Sequence, residues 1–197
     1  MPEAQPLAAR AIAATQAWVD RAVIGLNLCP FAKAVQARQQ LRVVCSAARD
    51  EQALLAALGD EMTLLRDTPA AQIETTLLVH PWVLNDFGDY NQFLDDADAL
   101  LDTLELQGVL QVASFHPQYQ FAGTSSDDIT NATNRSPFPT LHLLREASIE
   151  RAVAAFPLAE AIYETNLRTL QALGPQGWAA LQAQCLRDTP GGVATGD

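Results

Sequence analysis

No apolar run in the sequence approaches the ~20 residues that a membrane span requires. Its start, MPEAQPLAARAIAATQ, has no basic segment followed by a long apolar one, so no secretory signal is expected and the cytoplasm is the expected setting. Cysteine is scarce. Three in 197 residues, without paired spacing, fit a reducing compartment better than a disulfide framework. Basic residues are also few: 12 Lys and Arg against 23 Asp and Glu give a net charge of −11, a field that repels nucleic acid and anionic lipid. No GxxxxGK[ST], GxGxxG or GxSxG occurs, so neither a nucleotide-binding fingerprint nor a nucleophile elbow is present. No low-complexity linker divides the chain. A single domain is expected over 1–187, ahead of a small polar tail, 188–197, expected to be flexible.

What is there alternates. Apolar spacing predicts a first helix over 7–28, then a short β-branched strand at 41–46 (LRVVCS) and a helix through 53–65 for which Asp50 is the cap. A second strand follows at 74–81 (ETTLLVHP), a helix at 87–106, and a third strand (GVLQVASF) from Gly108. A helix is expected at 140–155, entered through Ser136-Pro137 or Phe138-Pro139. After Pro157 come helices at 158–173, stopped by Gly174-Pro175, and at 176–186. Strands alternating with helices predict an α/β fold: a small, mainly parallel sheet built from βαβ units, flanked by helices, with an N-terminal helix and extra C-terminal ones. An α+β sandwich is the alternative.

In such sheets ligands gather beyond the carboxyl ends of the strands. Those ends carry Ser46, Arg49 and Asp50; His80, Asn85 and Asp86; and His116 with Tyr119. The second and third strands both end in His-Pro, with the histidines expected to face the rim.

The stretch 114–146, SFHPQYQFAGTSSDDITNATNRSPFPTLHLLRE, concentrates polar chemistry in an aromatic-framed loop too long to be a plain connection. Arg135, beside Asn134 and Ser136 at a helix entry, is a receptor for carboxylate or phosphate; the competing role is a loop staple bonded to Asp127, Asp128 or backbone carbonyls. His116 is a candidate general acid or base. His142, Arg145 and Glu146 share a face if the segment is helical, which makes His142 a candidate catalytic imidazole oriented by Glu146, the competing role being a surface pair, and makes Arg145 and Glu146, with Asp128, candidate substrate contacts. Tyr119 is expected to wall the pocket. Asp128, Asn131 and Asn134 suit side-chain-to-backbone turns. Cys29, at the cap of the turn begun by Pro30 and near Lys33, is a candidate nucleophile or redox group; its duller role is a small thiol filling a bend. Three histidines and Asp127-Asp128 lack the compact spacing of HExxH or paired CxxC, so no metal is assigned, and the cofactor is left open.

LNLCPFAK (26–33), TTLLVHP (75–81), SFHPQYQFAGT (114–124) and TNRSPFPTLHLLREASIERAV, from Thr133, resemble the bacterial family called domain of unknown function 1415, nearly end to end and lacking only the tail. The resemblance implies no activity. It implies that Cys29, His116, Tyr119, Asp128, Asn134, Arg135, Ser136, His142, Arg145 and Glu146 occupy family motifs. Residue chemistry then suggests a small cytoplasmic enzyme acting on a small anionic metabolite, a carboxylate or phosphate, through His116 or Cys29, in a pocket under the 118–136 loop. The alternative is a non-catalytic module that binds a small molecule or a protein partner through 114–146. A small anionic molecule is the expected partner; nucleic acid and membrane are not.

Overall fold

A computed structural model describes residues 4–155 and 159–187. The expected break at Pro157 and the tail 188–197 lie outside the described residues. Helix α1 (Ala4–Trp18) runs directly into a π-helical turn, Val19–Ile24. After the short α2 (Ala32–Ala37) come β1 (Leu41–Cys45), α3 (Glu51–Asp67), β2 (Thr75–Val79), α4 (Phe87–Thr103) and β3 (Leu110–Phe115). A 3₁₀ helix (Ile129–Asn134), β4 (Thr140–Arg145), α5 (Glu146–Ala155) and α6 (Ala159–Arg187) follow. Helix α6 is broken at Gly174, whose φ of 69° and ψ of 170° leave the helical region just before Pro175. Glycine tolerates that φ and proline lacks the N–H a continuous helix would use. The expected stop at Gly174-Pro175 is therefore a kink.

The four strands form one sheet in the order β1-β2-β4-β3. Only the β1–β2 pair is parallel; β4 runs antiparallel to β2 on one side and β3 on the other. The fold is mixed α/β, and the expectation of a mainly parallel sheet is corrected by β4. Its sequence, TLHLLR, was expected to open the helix 140–155. In the sheet its side chains alternate instead: Leu141 and Leu143 enter the core against α3 and α4, while His142 between them meets Phe115 on the other face. All five residues of β2 are buried, so both edges of β2 need a paired neighbour, and β4 supplies the second. Helical periodicity begins only at Glu146.

Two cores result. Leu54, Leu58, Met62, Tyr90, Phe93 and Ala97 of α3 and α4 pack on Leu78, Leu110, Leu141 and Leu143. On the opposite face Trp18, Val19 and Ala22, with Leu170, Trp178 and Cys185 of α6, pack on Leu77. The neighbours Leu77 and Leu78 thus serve different layers, as the two-residue period of a strand requires. Among the described residues no helix is long and apolar enough to cross a membrane.

Helices α3 and α4 both begin at the carboxyl edge of the sheet. The Ala53 amide donates to Asp50 Oδ1 at 2.8 Å, which is the expected cap. Asp86 does the same for α4, accepting from the amides of Gly88 and Asp89 at 2.8 and 3.2 Å.

Candidate functional site

The long loop after β3 is closed at its neck. The His116 amide donates to the Asn134 carbonyl at 3.1 Å, and Asn134 Nδ2 donates to the Ser114 carbonyl at 3.1 Å. Within it, Arg135 sends Nε to the Tyr119 carbonyl (3.1 Å) and an Nη to that of Ser126 (2.6 Å). The Tyr119 amide is in turn bonded to the His116 carbonyl at 3.1 Å, so Arg135 is tied to the His116 backbone through Tyr119, while the His116 ring turns to the Leu84 carbonyl. The arginine is spent as a staple across the loop, and burial lowers its pKa. Asp128 caps the 3₁₀ helix by accepting from Thr130 N and Oγ1, and the buried Ser136 hydroxyl donates to the Phe138 carbonyl.

The hub of the loop is Asn131, a residue that its sequence context marks only as a turn former. It is fully buried. Its Oδ1 accepts from the Phe121 amide and Thr124 Oγ1, both at 2.9 Å, and its Nδ2 donates to the Ser125 carbonyl at 2.8 Å. Asn131→Ala is expected to strand the Phe121 amide, since Thr124 Oγ1 keeps its bond to the Phe121 carbonyl and the Ser125 carbonyl keeps the Asp128 amide, and to leave a buried gap at the hub, costing about 1–3 kcal/mol. Urea unfolding should read that loss, and limited proteolysis should show early cleavage within 118–128.

The two His-Pro histidines turn inward instead of facing the rim; both are fully buried. His116 Nδ1 accepts the Gln118 amide at 3.1 Å, so the ring proton sits on Nε2 and is donated to the Leu84 carbonyl at 3.2 Å. His80 donates Nδ1–H to the Val83 carbonyl at 3.0 Å and leaves a buried Nε2 with no partner among the described residues. The rings form a chain: His80 stacks on Tyr90 at 5.7 Å, Tyr90 meets His116 at 5.1 Å, and Phe87 joins His116 to Tyr119 at 5.4 and 5.2 Å. Burial lowers the pKa of both histidines, that of His80 to about 4. Each is a neutral clasp on the segment after β2, and Leu84 is held there at a left-handed φ of 57°. Tyr90, absent from the sequence-based candidates, locks β3 to β4: it donates to the Thr140 carbonyl (2.8 Å) and accepts the Phe115 amide (3.1 Å).

The other candidates lie elsewhere. His142 is on β4, not on a helix. Its Nε2 bonds Thr75 Oγ1 at 2.7 Å, its ring lies 5.9 Å from Phe115, and burial lowers its pKa to about 4. Glu146 is four extended residues away, about 13 Å rather than one helical turn, so it does not orient the imidazole. Arg145 donates to the carbonyls of Leu65, Thr68 and Ile73 at the far end of α3. Cys29 follows Leu28, which packs in the core on the α1/α6 face, whereas His116 packs against α4. The cap of α2 is Phe31, so the thiol does not hold the helix-end position expected of it. At the end of β1, burial pushes the Cys45 thiol up to about 11, which leaves it protonated at neutral pH.

An open cleft of about 500 Å³ lies at the carboxyl ends of β1 and β2, between the starts of α3 and α4. Arg49, Asp50, Glu51, Gln52, Val83, Leu84, Asn85 and Asp89 line it, with no residue of the 114–146 stretch among them. The segment that His80 and His116 clasp is one of its walls. The Arg49 guanidinium rests 3.8 Å over the Trp82 ring, and Nη1 donates to the Ala47 carbonyl at 3.0 Å. It forms no ion pair with the described residues, although three carboxylates line the same cleft. Among the described residues no group of three or more His, Cys, Asp and Glu has the geometry of a metal site.

A family model described as a protein of unknown function, DUF1415, matches residues 10–180. The chain belongs to the DUF1415 family. The match to DUF1415 takes in the histidine clasp, the stapled loop and every residue of the cleft. No curated protein and no solved structure matches the chain. Within the DUF1415 match, Arg49 is the residue that sequence reasoning placed at a strand end without naming as a site. The signal was its position after β1; what marks it is a guanidinium at the cleft with only Nη1 bonded among the described residues, visible only in three dimensions.

Proposed function

We propose that this DUF1415 protein binds a small metabolite carrying a carboxylate or phosphate group, with the cleft at the ends of β1 and β2 as the site and Arg49 as the anchor. One observation carries the reading. Arg49 is held by the Trp82 ring and the Ala47 carbonyl, yet its Nε and Nη2 have no hydrogen-bond partner among the described residues. A seated guanidinium with outward donors is a receptor for a planar or tetrahedral anion. The cleft's volume is in the range of small-molecule sites. Binding, rather than acid–base work by His116 or attack by Cys29, is the activity this reading favours: both His116 nitrogens hold backbone groups, and Cys29 follows Leu28, which packs in the core on the other face of the sheet. In this reading the protein works in the cytoplasm, where its three free thiols stay reduced.

The test is calorimetric titration with a panel of small carboxylates and phosphate esters. Arg49→Ala should weaken whichever probe binds by at least about tenfold, the loss of one charge-assisted contact. Its melting temperature without ligand should stay within about a degree of the parent, because an exposed side chain on a surface ring contributes little to stability. Retention of full affinity by Arg49→Ala removes the proposal.

A further inference from the structure

The charge pattern around the cleft narrows the ligand further, an inference that rests on the binding reading above. Asp50, Glu51 and Asp89 line the same cavity as Arg49. Asp50 is committed to the cap of α3 through the Ala53 amide. Glu51 and Asp89 are exposed, and neither carboxylate makes a side-chain hydrogen bond among the described residues. A ligand that is only an anion meets one guanidinium and at least two unspent carboxylates, and their repulsion offsets the contact with Arg49. A ligand that is only a cation leaves Arg49 unanswered. A molecule bearing both charges turns every one of these groups to account, and the Asn85 amide at the rim can donate to its acidic end or accept from its amine.

We infer that the cleft is built for a small zwitterion of the amino-acid type, its acidic group on Arg49 and its ammonium toward Glu51 and Asp89. Arg49 and Glu51 flank Asp50 at the start of α3 and Asp89 lies on α4, so the lining carries both signs of charge, and a mixed-charge lining gives selectivity as well as affinity for a ligand that carries both.

The experiment is calorimetry on the full chain at pH 7 with four probes: alanine and 4-aminobutyrate as zwitterions of different span, succinate as the dianion and putrescine as the dication. At least one zwitterion should bind at least tenfold tighter than succinate and putrescine. The double variant Glu51→Gln, Asp89→Asn should lose at least tenfold of that affinity while keeping or improving the binding of succinate. Succinate binding as tightly as the zwitterions, in an Arg49-dependent way, would overturn the zwitterion assignment and leave the binding proposal standing. Putrescine binding tightest, or no probe whose affinity responds to Arg49→Ala, would overturn both.

Discussion

Acidification from pH 7 to pH 4 is expected to destabilise the protein by about 3 kcal/mol for each of His80 and His142, whose pKa burial lowers from 6.5 to about 4. Both rings are therefore neutral in the fold. Once the chain unfolds they bind protons at the ordinary value. Between pH 6.5 and 4 the unfolded chain therefore holds more protons than the folded one, and stability falls with pH across that window. Above about pH 7.5 neither state is protonated and stability is flat with respect to these groups. His116 adds to the loss in the same direction, its pKa being lowered by burial as well. Against a typical domain stability of about 5–15 kcal/mol, such a sum brings the fold close to failure at pH 4. Urea midpoints followed by circular dichroism at pH 7.5, 6.5, 5.5 and 4.5 should decline steeply below 6.5. A midpoint unchanged down to pH 5 would show that the rings are not buried neutral. The clasp on Val83 and Leu84 should loosen with them, because a protonated His80 presents a second N–H where no acceptor waits among the described residues.

Why some of this could be read in the sequence and some could not follows from the range of each signal. Asp50 as a cap is a local matter, settled by a side chain and an amide three residues on. The strands β1 to β3 and helices α3 and α4 announce themselves by period. Strand β4 does not, because TLHLLR becomes a strand by filling the gap between β2 and β3, its pairing partners lying at least 25 residues away along the chain. The His-Pro repeats located two histidines at equivalent strand ends, yet nothing in the order of residues says whether an imidazole points out to a ligand or in to a carbonyl. The arginines teach the same lesson more sharply. Residue type says what a guanidinium can bind; only the fold says whether its donors are already taken. Arg135 and Arg145 each spend Nε and one Nη on backbone oxygens, whereas Arg49, singled out by no motif, spends only Nη1.

Arg145→Ala should be the most damaging single change among the candidate ligand contacts of the sequence, at on the order of 3 kcal/mol. One Nη of Arg145 reaches the carbonyls of Leu65, Thr68 and Ile73 at 2.7, 2.5 and 2.9 Å, and Nε reaches that of Ile73 at 3.3 Å. It closes the C-terminal end of α3, where carbonyls have no helical partner, and ties the turn into β2 to the last residue of β4. Truncation to alanine strands these oxygens. Arg145→Lys keeps the charge, but a single ammonium cannot reproduce the fork, so it should recover only part of the loss. Urea unfolding measures both variants, and a loss under about 0.5 kcal/mol for the alanine change would refute the role. The effect should stop at stability. Helix α3 has 17 residues, about 25 Å of length, so its Arg145 end lies far from the cleft at its start, and the folded Arg145→Ala protein should keep its Arg49-dependent binding. A variant that folds normally and loses that binding would place the anion site at the wrong end of the helix.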